Sequence, residues 1–142
     1  MGAVLAIDWG TKKSGFAVAD PLRIVVQPLD AVRLDGDSVE LLDHVERLGE
    51  ERDLEVLLIS LPVEADGSDS GQAKLARAFM AALAARLPDV TIVPYPERLT
   101  SKEAESRLRE AGLRGKAAKD RRDSWSAWVL LEDWIRSGEP RG

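Results

Sequence analysis

The chain has 142 residues, 44% of them apolar and 32% charged, which suits one single domain (1–142) with a buried core and leaves no room for two. That balance excludes disordered and fibrous classes, and no apolar run approaches the roughly 20 residues of a membrane span, so no membrane partner is expected. Cysteine is absent, which removes disulfides, thiolate nucleophiles and thiolate-held zinc, while a formal net charge of −5 argues against general attraction to polyanions.

Met1 to Gly10 lacks a basic start and a cleavage site, so no secretory leader is expected and the protein is assigned to the cytoplasm. Ala3 to Ile7 is a continuous apolar run, the pattern of a central strand covered on both faces. Gly10-Thr11-Lys12-Lys13 reads as a turn into a second strand, Ser14 to Ala19, and so short a connection makes the pair an antiparallel hairpin. Arg23 to Leu34 supplies a third strand, broken by Asp35-Gly36-Asp37, and Asp37 can cap a helix on which Val39, Leu42, Val45 and Leu48 share a side.

Val56 to Ile59 is a short buried strand ended by Pro62, followed by a polar loop with Asp66-Gly67-Ser68. A helix around Leu75, Phe79, Ala82 and Leu83 leads to the strand Val90 to Val93. Thr100-Ser101-Lys102-Glu103 matches a capping box, Gly112 is a natural stop for that helix, and a last helix is predicted from about Arg121 to Ile135. Three strands in a meander, then strands joined through helices by right-handed crossovers, give an α/β fold with one mixed five-stranded sheet flanked by helices.

Ligands of such sheets collect outside the carboxyl ends of the parallel strands. Asp8 ends the first strand and Glu97 lies just past the strand Val90 to Val93, so both belong to one rim. Singly, an aspartate before Gly-Thr suits a turn, and Glu97 suits a surface acid before a helix cap. Asp123 is more telling. With Ala127, Leu130 and Trp134 it follows spacings of four, three and four, which places it on the stripe that packs against the sheet. A favourable position near the helix N-terminus would explain its place along the helix but not its inward face.

Three anions on one rim repel: at about 5 Å and an effective dielectric of about 20, each pair costs roughly 3 kcal/mol. Divalent cations relieve that repulsion. The only histidine, His44, sits on a predicted surface helix, so a metal would be held by oxygen, which favours magnesium or manganese. Two such ions about 4 Å apart can activate water and stabilise the leaving oxygen of a phosphodiester.

The segments Ala6-Ile7-Asp8-Trp9-Gly10-Thr11-Lys12-Lys13-Ser14-Gly15, Leu61-Pro62 with Asp66-Gly67-Ser68, Glu97-Arg98-Leu99-Thr100 and Asp123-Ser124-Trp125-Ser126-Ala127 resemble, in order and spacing, the YqgF (RuvX) family. The resemblance covers nearly the whole chain. It implies a ribonuclease H-like fold, kinship with RuvC-type Holliday junction resolvases, and a nuclease role in 5′ maturation of pre-16S ribosomal RNA. It also implies Asp8, Glu97 and Asp123 as metal-binding catalytic acids. Three positions depart from the family pattern: Pro96 stands where aspartate is usual, Ser60 where glycine is common, and Arg122 where an apolar residue precedes Asp123.

With nucleic acid, RNA or DNA, as the expected partner, the basic residues near Asp123 become phosphate contacts: Arg114, Lys116, Lys119, Arg121 and Arg122. Lys12 and Arg98, beside the other two acids, are further candidates. Trp9, Trp125 and Trp128 are expected in the core rather than as platforms for bases. Two rival functions remain at this level. An Asp-x-Gly-Thr turn also occurs in ATPases of the actin and sugar-kinase type, although those need two domains. A non-catalytic RNA-binding assembly factor could keep the fold, and junction DNA presents the same phosphodiester as an RNA precursor. Oligomeric state is not legible.

Overall fold

In a computed structural model of the chain, residues 2–61, 71–96 and 100–141 are described, the side chains of residues 100 and 101 excepted. The loop motif Pro62 to Ser68, together with Glu97 and Arg98, lies outside the described residues.

Among the described residues five strands and four helices follow in the predicted order: β1 Ala3–Asp8, β2 Ser14–Ala19, β3 Val26–Val32, α1 Val39–Arg52, β4 Leu54–Leu61, α2 Ala73–Arg86, β5 Thr91–Pro96, α3 Thr100–Glu110 and α4 Gly115–Arg136. The strands form one sheet in the order β3-β2-β1-β4-β5. β2 runs antiparallel to both β1 and β3, whereas β4 runs parallel to both β1 and β5. The mixed sheet expected from the connections is therefore the one found.

Alternation along β1 divides the core into two layers. Leu5, Ile7 and Trp9 pack with Leu41 and Val45 of α1 and with Phe79 and Leu83 of α2. Val4 and Ala6 face the other way, onto Ala127, Leu130, Leu131 and Trp134 of α4. α4 thus covers one face of the sheet, and the even-numbered residues of β1 point toward it.

Two helix starts differ from the sequence reading. Ser38, not Asp37, caps α1: its Oγ accepts from the Leu41 amide at 3.2 Å. The stripe of α1 that is fully buried is Leu41, Val45 and Gly49, while Leu42 and Leu48 are only partly covered and Val39 is exposed. More consequential is α4, which begins at Gly115 rather than near Arg121. The intervening run is rich in Lys, Ala and Arg, all good helix formers, and extends the helix N-terminally. The predicted stop of α3 is found: Gly112 takes φ +78°, and the Leu113 amide returns to the Leu108 carbonyl at 2.9 Å.

Candidate active site

Asp8 is the last residue of β1, half-buried, and by parity its side chain leaves the sheet on the α4 face. On the neighbouring strand its partner is Gly15. Gly15 is where α4 touches the sheet: a Cβ built there would lie 2.1 Å from the Asp123 carbonyl carbon and 2.3 Å from the Ser124 amide nitrogen. Only a residue without a side chain allows that approach. One residue further on, the Phe16 amide donates to Ser124 Oγ at 3.1 Å, which pins the helix to β2 in register. Gly15, the strand partner of Asp8, thus rests on the Asp123 backbone, so the two acids lie on either side of one glycine at the same end of the sheet.

Asp123 lies nine residues into α4, well past the first turn where the helix dipole acts. Its position owes nothing to that dipole. It heads the stripe continued by buried Ala127, Leu130 and Trp134, and packing against the sheet orients it.

Both carboxylates have partners in place. Ser60, buried on β4, donates its hydroxyl to Asp8 Oδ1 at 3.2 Å and accepts from the Trp9 amide at 3.1 Å. Lys13 Nζ stands 3.4 Å from Asp123 Oδ2 and 3.4 Å from the Lys119 carbonyl, with the two charged side chains 19% and 23% exposed. Screening is incomplete at that depth, so the ammonium is a favourable neighbour for the Asp123 carboxylate. Ser60 pairs with Tyr95 of β5, and Leu61 with Pro96, so the end of β5 comes to the same rim. Glu97, the next residue, is outside the described residues.

Among the described residues no three His, Cys, Asp or Glu side chains are grouped closely enough to hold a metal ion. Asp8 and Asp123 supply two hard-oxygen donors, and Lys13 is a cation already placed beside one of them, Asp123. The donor chemistry fits magnesium or manganese and does not fit a soft metal.

The predicted basic residues divide into groups. Arg114, Lys119 and Arg122 line a groove between α3 and the start of α4. Arg121 faces the opposite cleft, between α4 and β3. Lys116 is exposed, as is Lys12, and the structure brings Lys13 rather than Lys12 to the acids. Of the tryptophans, Trp9 is core, with its indole donating to the Gly36 carbonyl at 3.1 Å. Trp125 and Trp128 are half-buried, meet edge to face at 5.3 Å, and Arg107 lies over the Trp128 ring.

Sequence reasoning missed Lys13 and Ser60. Lys13 was findable, since strand parity continued back from Gly15 puts it on the same face. Ser60 was visible as a departure from the family pattern, but its contact with Asp8 depends on the β1–β4 register, which no local signal encodes.

The sequence model of the RuvX family, described as a Holliday junction resolvase, matches residues 2–137. The chain belongs to that family. A protein of Dechloromonas aromatica named "Putative pre-16S rRNA nuclease" is 34% identical over 96% of this chain and 92% of its own length. One of Maridesulfovibrio salexigens with the same name is 36% identical, over 93% and 96% respectively. Among solved structures, Thermus thermophilus RuvC superposes with a TM-score of 0.61 at 13% identity, over 98% of both chains. The fowlpox virus Holliday junction resolvase gives 0.60 at 11%, over 95% of this chain and 99% of that one. The RuvX member described here thus has the ribonuclease H-like fold of the RuvC resolvases.

Proposed function

We propose that this protein is a metal-dependent nuclease that hydrolyses phosphodiester bonds of nucleic acid in the cytoplasm, with 5′ processing of pre-16S rRNA as its role. The observation that carries this reading is the convergence of Asp8 and Asp123 across Gly15 on the α4 face of the sheet. Relatives named as nucleases of that precursor, alike over nearly their whole length, support the substrate.

Asp8 and Asp123 would hold magnesium or manganese, with two ions as the working number and Glu97, directly after β5, as the third acid. Bound there, such ions supply activation of the attacking water and neutralise charge on the leaving oxygen. The chain's own residues do the positioning. Ser60 donates to one oxygen of Asp8 and so helps fix the orientation of that carboxylate. Lys13 holds the Asp123 carboxylate in place through their 3.4 Å contact, and its flexible stem lets the ammonium shift toward a substrate phosphate. No helix among the described residues is long and apolar enough to cross a membrane.

The test is Asp8→Asn assayed on single-stranded RNA, a pre-16S 5′ leader, single-stranded DNA and a four-way DNA junction, each with magnesium and with manganese. Wild type is expected to cut the leader, and the variant to lose about a thousandfold or more in rate. Its melting temperature without metal should be unchanged or raised, because one of two facing anions is gone. A variant as active as wild type removes Asp8 from the site. Wild-type cleavage confined to the junction replaces the rRNA role with resolution, and binding without any cleavage makes the protein an assembly factor.

A further inference from the structure

Beside the acids lies a concavity lined by three of the residues expected to contact phosphate, Arg114, Lys119 and Arg122. The last two turns of α3 and the first two of α4 diverge from the turn at Gly112 and enclose a groove of about 420 Å³. Leu113 and Ala118 contribute accessible apolar surface over the buried Leu108, and Arg109, Arg114, Lys119 and Arg122 surround it. Among the described residues Arg109, Arg114 and the Lys119 ammonium carry no ion pair, and Arg122 has only a loose one with Glu105, at 3.9 Å. Four cations and one anion on a chain of net charge −5 mark a site for an anion.

Helical geometry ties this groove to the acids. Lys119 and Arg122 share one side of α4, and Asp123, one residue on, is turned about 100° toward the sheet. A strand lying over the acids reaches the groove by crossing α4, a width of about 10 Å. The mixed character of the lining narrows the occupant. Phosphates alone are met by exposed cations on a convex ridge and need no apolar floor. A base needs a planar apolar or guanidinium surface, and it can enter a cleft between helices only when splayed out of a duplex. The volume lies at the lower end of the range of about 300–1,000 Å³ typical of small-ligand pockets, which suits one nucleotide.

We propose that the α3–α4 groove takes one unstacked nucleotide of a single-stranded segment next to the cleaved bond, its base on Leu113 and Ala118 and its phosphate among Arg109, Arg114, Lys119 and Arg122. The groove thereby selects for unpaired nucleic acid. This rests on the nuclease reading for its strand direction, but its test does not require cleavage.

Binding is measured by fluorescence anisotropy in the Asp8→Asn background, using labelled unstructured RNA and DNA oligomers and a blunt duplex of equal length. Arg114→Gln with Lys119→Gln, both at exposed positions, should weaken single-strand binding about tenfold and duplex binding less than about threefold. On the ligand side, a single abasic residue moved along the oligomer should weaken the otherwise unaltered protein about tenfold at one position and little elsewhere. That scan needs no change to the groove, so a folding defect in the double variant cannot mimic it. Equal losses on both ligands, or an abasic scan flat at every position, overturns the proposal. Poly-glutamate bound as tightly as the oligomer also overturns it and makes the groove a surface for an acidic protein. RNA and DNA binding equally leaves the single-strand assignment standing, and groove binding without any cleavage retires the nuclease reading alone.

Discussion

The two ends of the sheet treat charge in opposite ways. At the end carrying Asp8 and Asp123, the two acids stand on either side of Gly15, Asp123 beside the Lys13 ammonium and Asp8 beside the Ser60 hydroxyl. At the other end charge is matched. Arg23, 13% exposed, forks onto both oxygens of Glu139 at 3.1 and 3.2 Å, reaches Glu55 at 3.4 Å, and donates to the Gly2 carbonyl at 2.8 Å. Arg141 adds a second contact to Glu55, and the Trp134 indole donates to the Pro140 carbonyl at 2.8 Å. The tail after α4 is thereby tied to the starts of β1 and β4. If the matched end serves stability and the acid end serves the proposed chemistry, substitutions should separate the two properties.

The largest expected effect on stability is at the matched end. Arg23→Ala leaves Glu139, Glu55 and a backbone carbonyl without their shared donor, and should cost about 3 kcal/mol in a urea titration. Turnover per folded molecule should stay within about twofold, since the acids are at the far end of β1 and β2. A large fall in turnover with intact folding would break the division between the ends.

Ser60→Ala sharpens the comparison from the other side. It frees a buried Trp9 amide and one Asp8 oxygen, which should cost about 1 kcal/mol of stability. Cleavage should fall several-fold beyond that, and Ser60→Thr should restore part of it. If activity simply tracks the folded fraction, Ser60 fills space and does not orient Asp8.

The smallest effect concerns acid. The Gly2 amide and then the guanidinium groups of Arg141 and Arg23 hold Glu55 below its ordinary value of 4.5. A carboxyl depressed in the folded state stabilises above its unfolded value and loses that contribution as pH falls through the folded one. Stability from this end should therefore be present at neutral pH and fade below about pH 4.5. Glu55→Gln should flatten the acid side of the stability curve, moving its midpoint by a few tenths of a pH unit at most because the group is well solvated. An unchanged acid slope would assign that slope to other carboxylates.

How much of this was legible in the sequence depends on the range of the interaction. The apolar run of β1, the hairpin turn and Gly112 are local signals, and all give the observed elements. Asp123 was legible because helical spacing from Trp134 back to Ala127 carries its direction whichever residue starts the helix. That start was misplaced because a run of Lys and Arg signals solvent as strongly as it signals helix. The caps at Ser38 and Asp37 compete on equal chemical terms, and only the turn geometry chooses. Lys13 and Ser60 meet the acids across strands and layers, so their roles are set by register. The Arg23 cluster joins residues far apart in the chain, and no spacing rule points to it.

The contact between Gly15 and the Asp123 backbone has a consequence for how the pocket can change. The gap between the two acids is gauged by main chain resting on main chain, as a feeler blade sets a clearance, and not by any side chain that repacking could lengthen or shorten. Swapping neighbouring core residues will therefore alter rigidity before it alters that clearance. Changing the spacing of the two carboxylates must proceed through the acids themselves, by one methylene at a time.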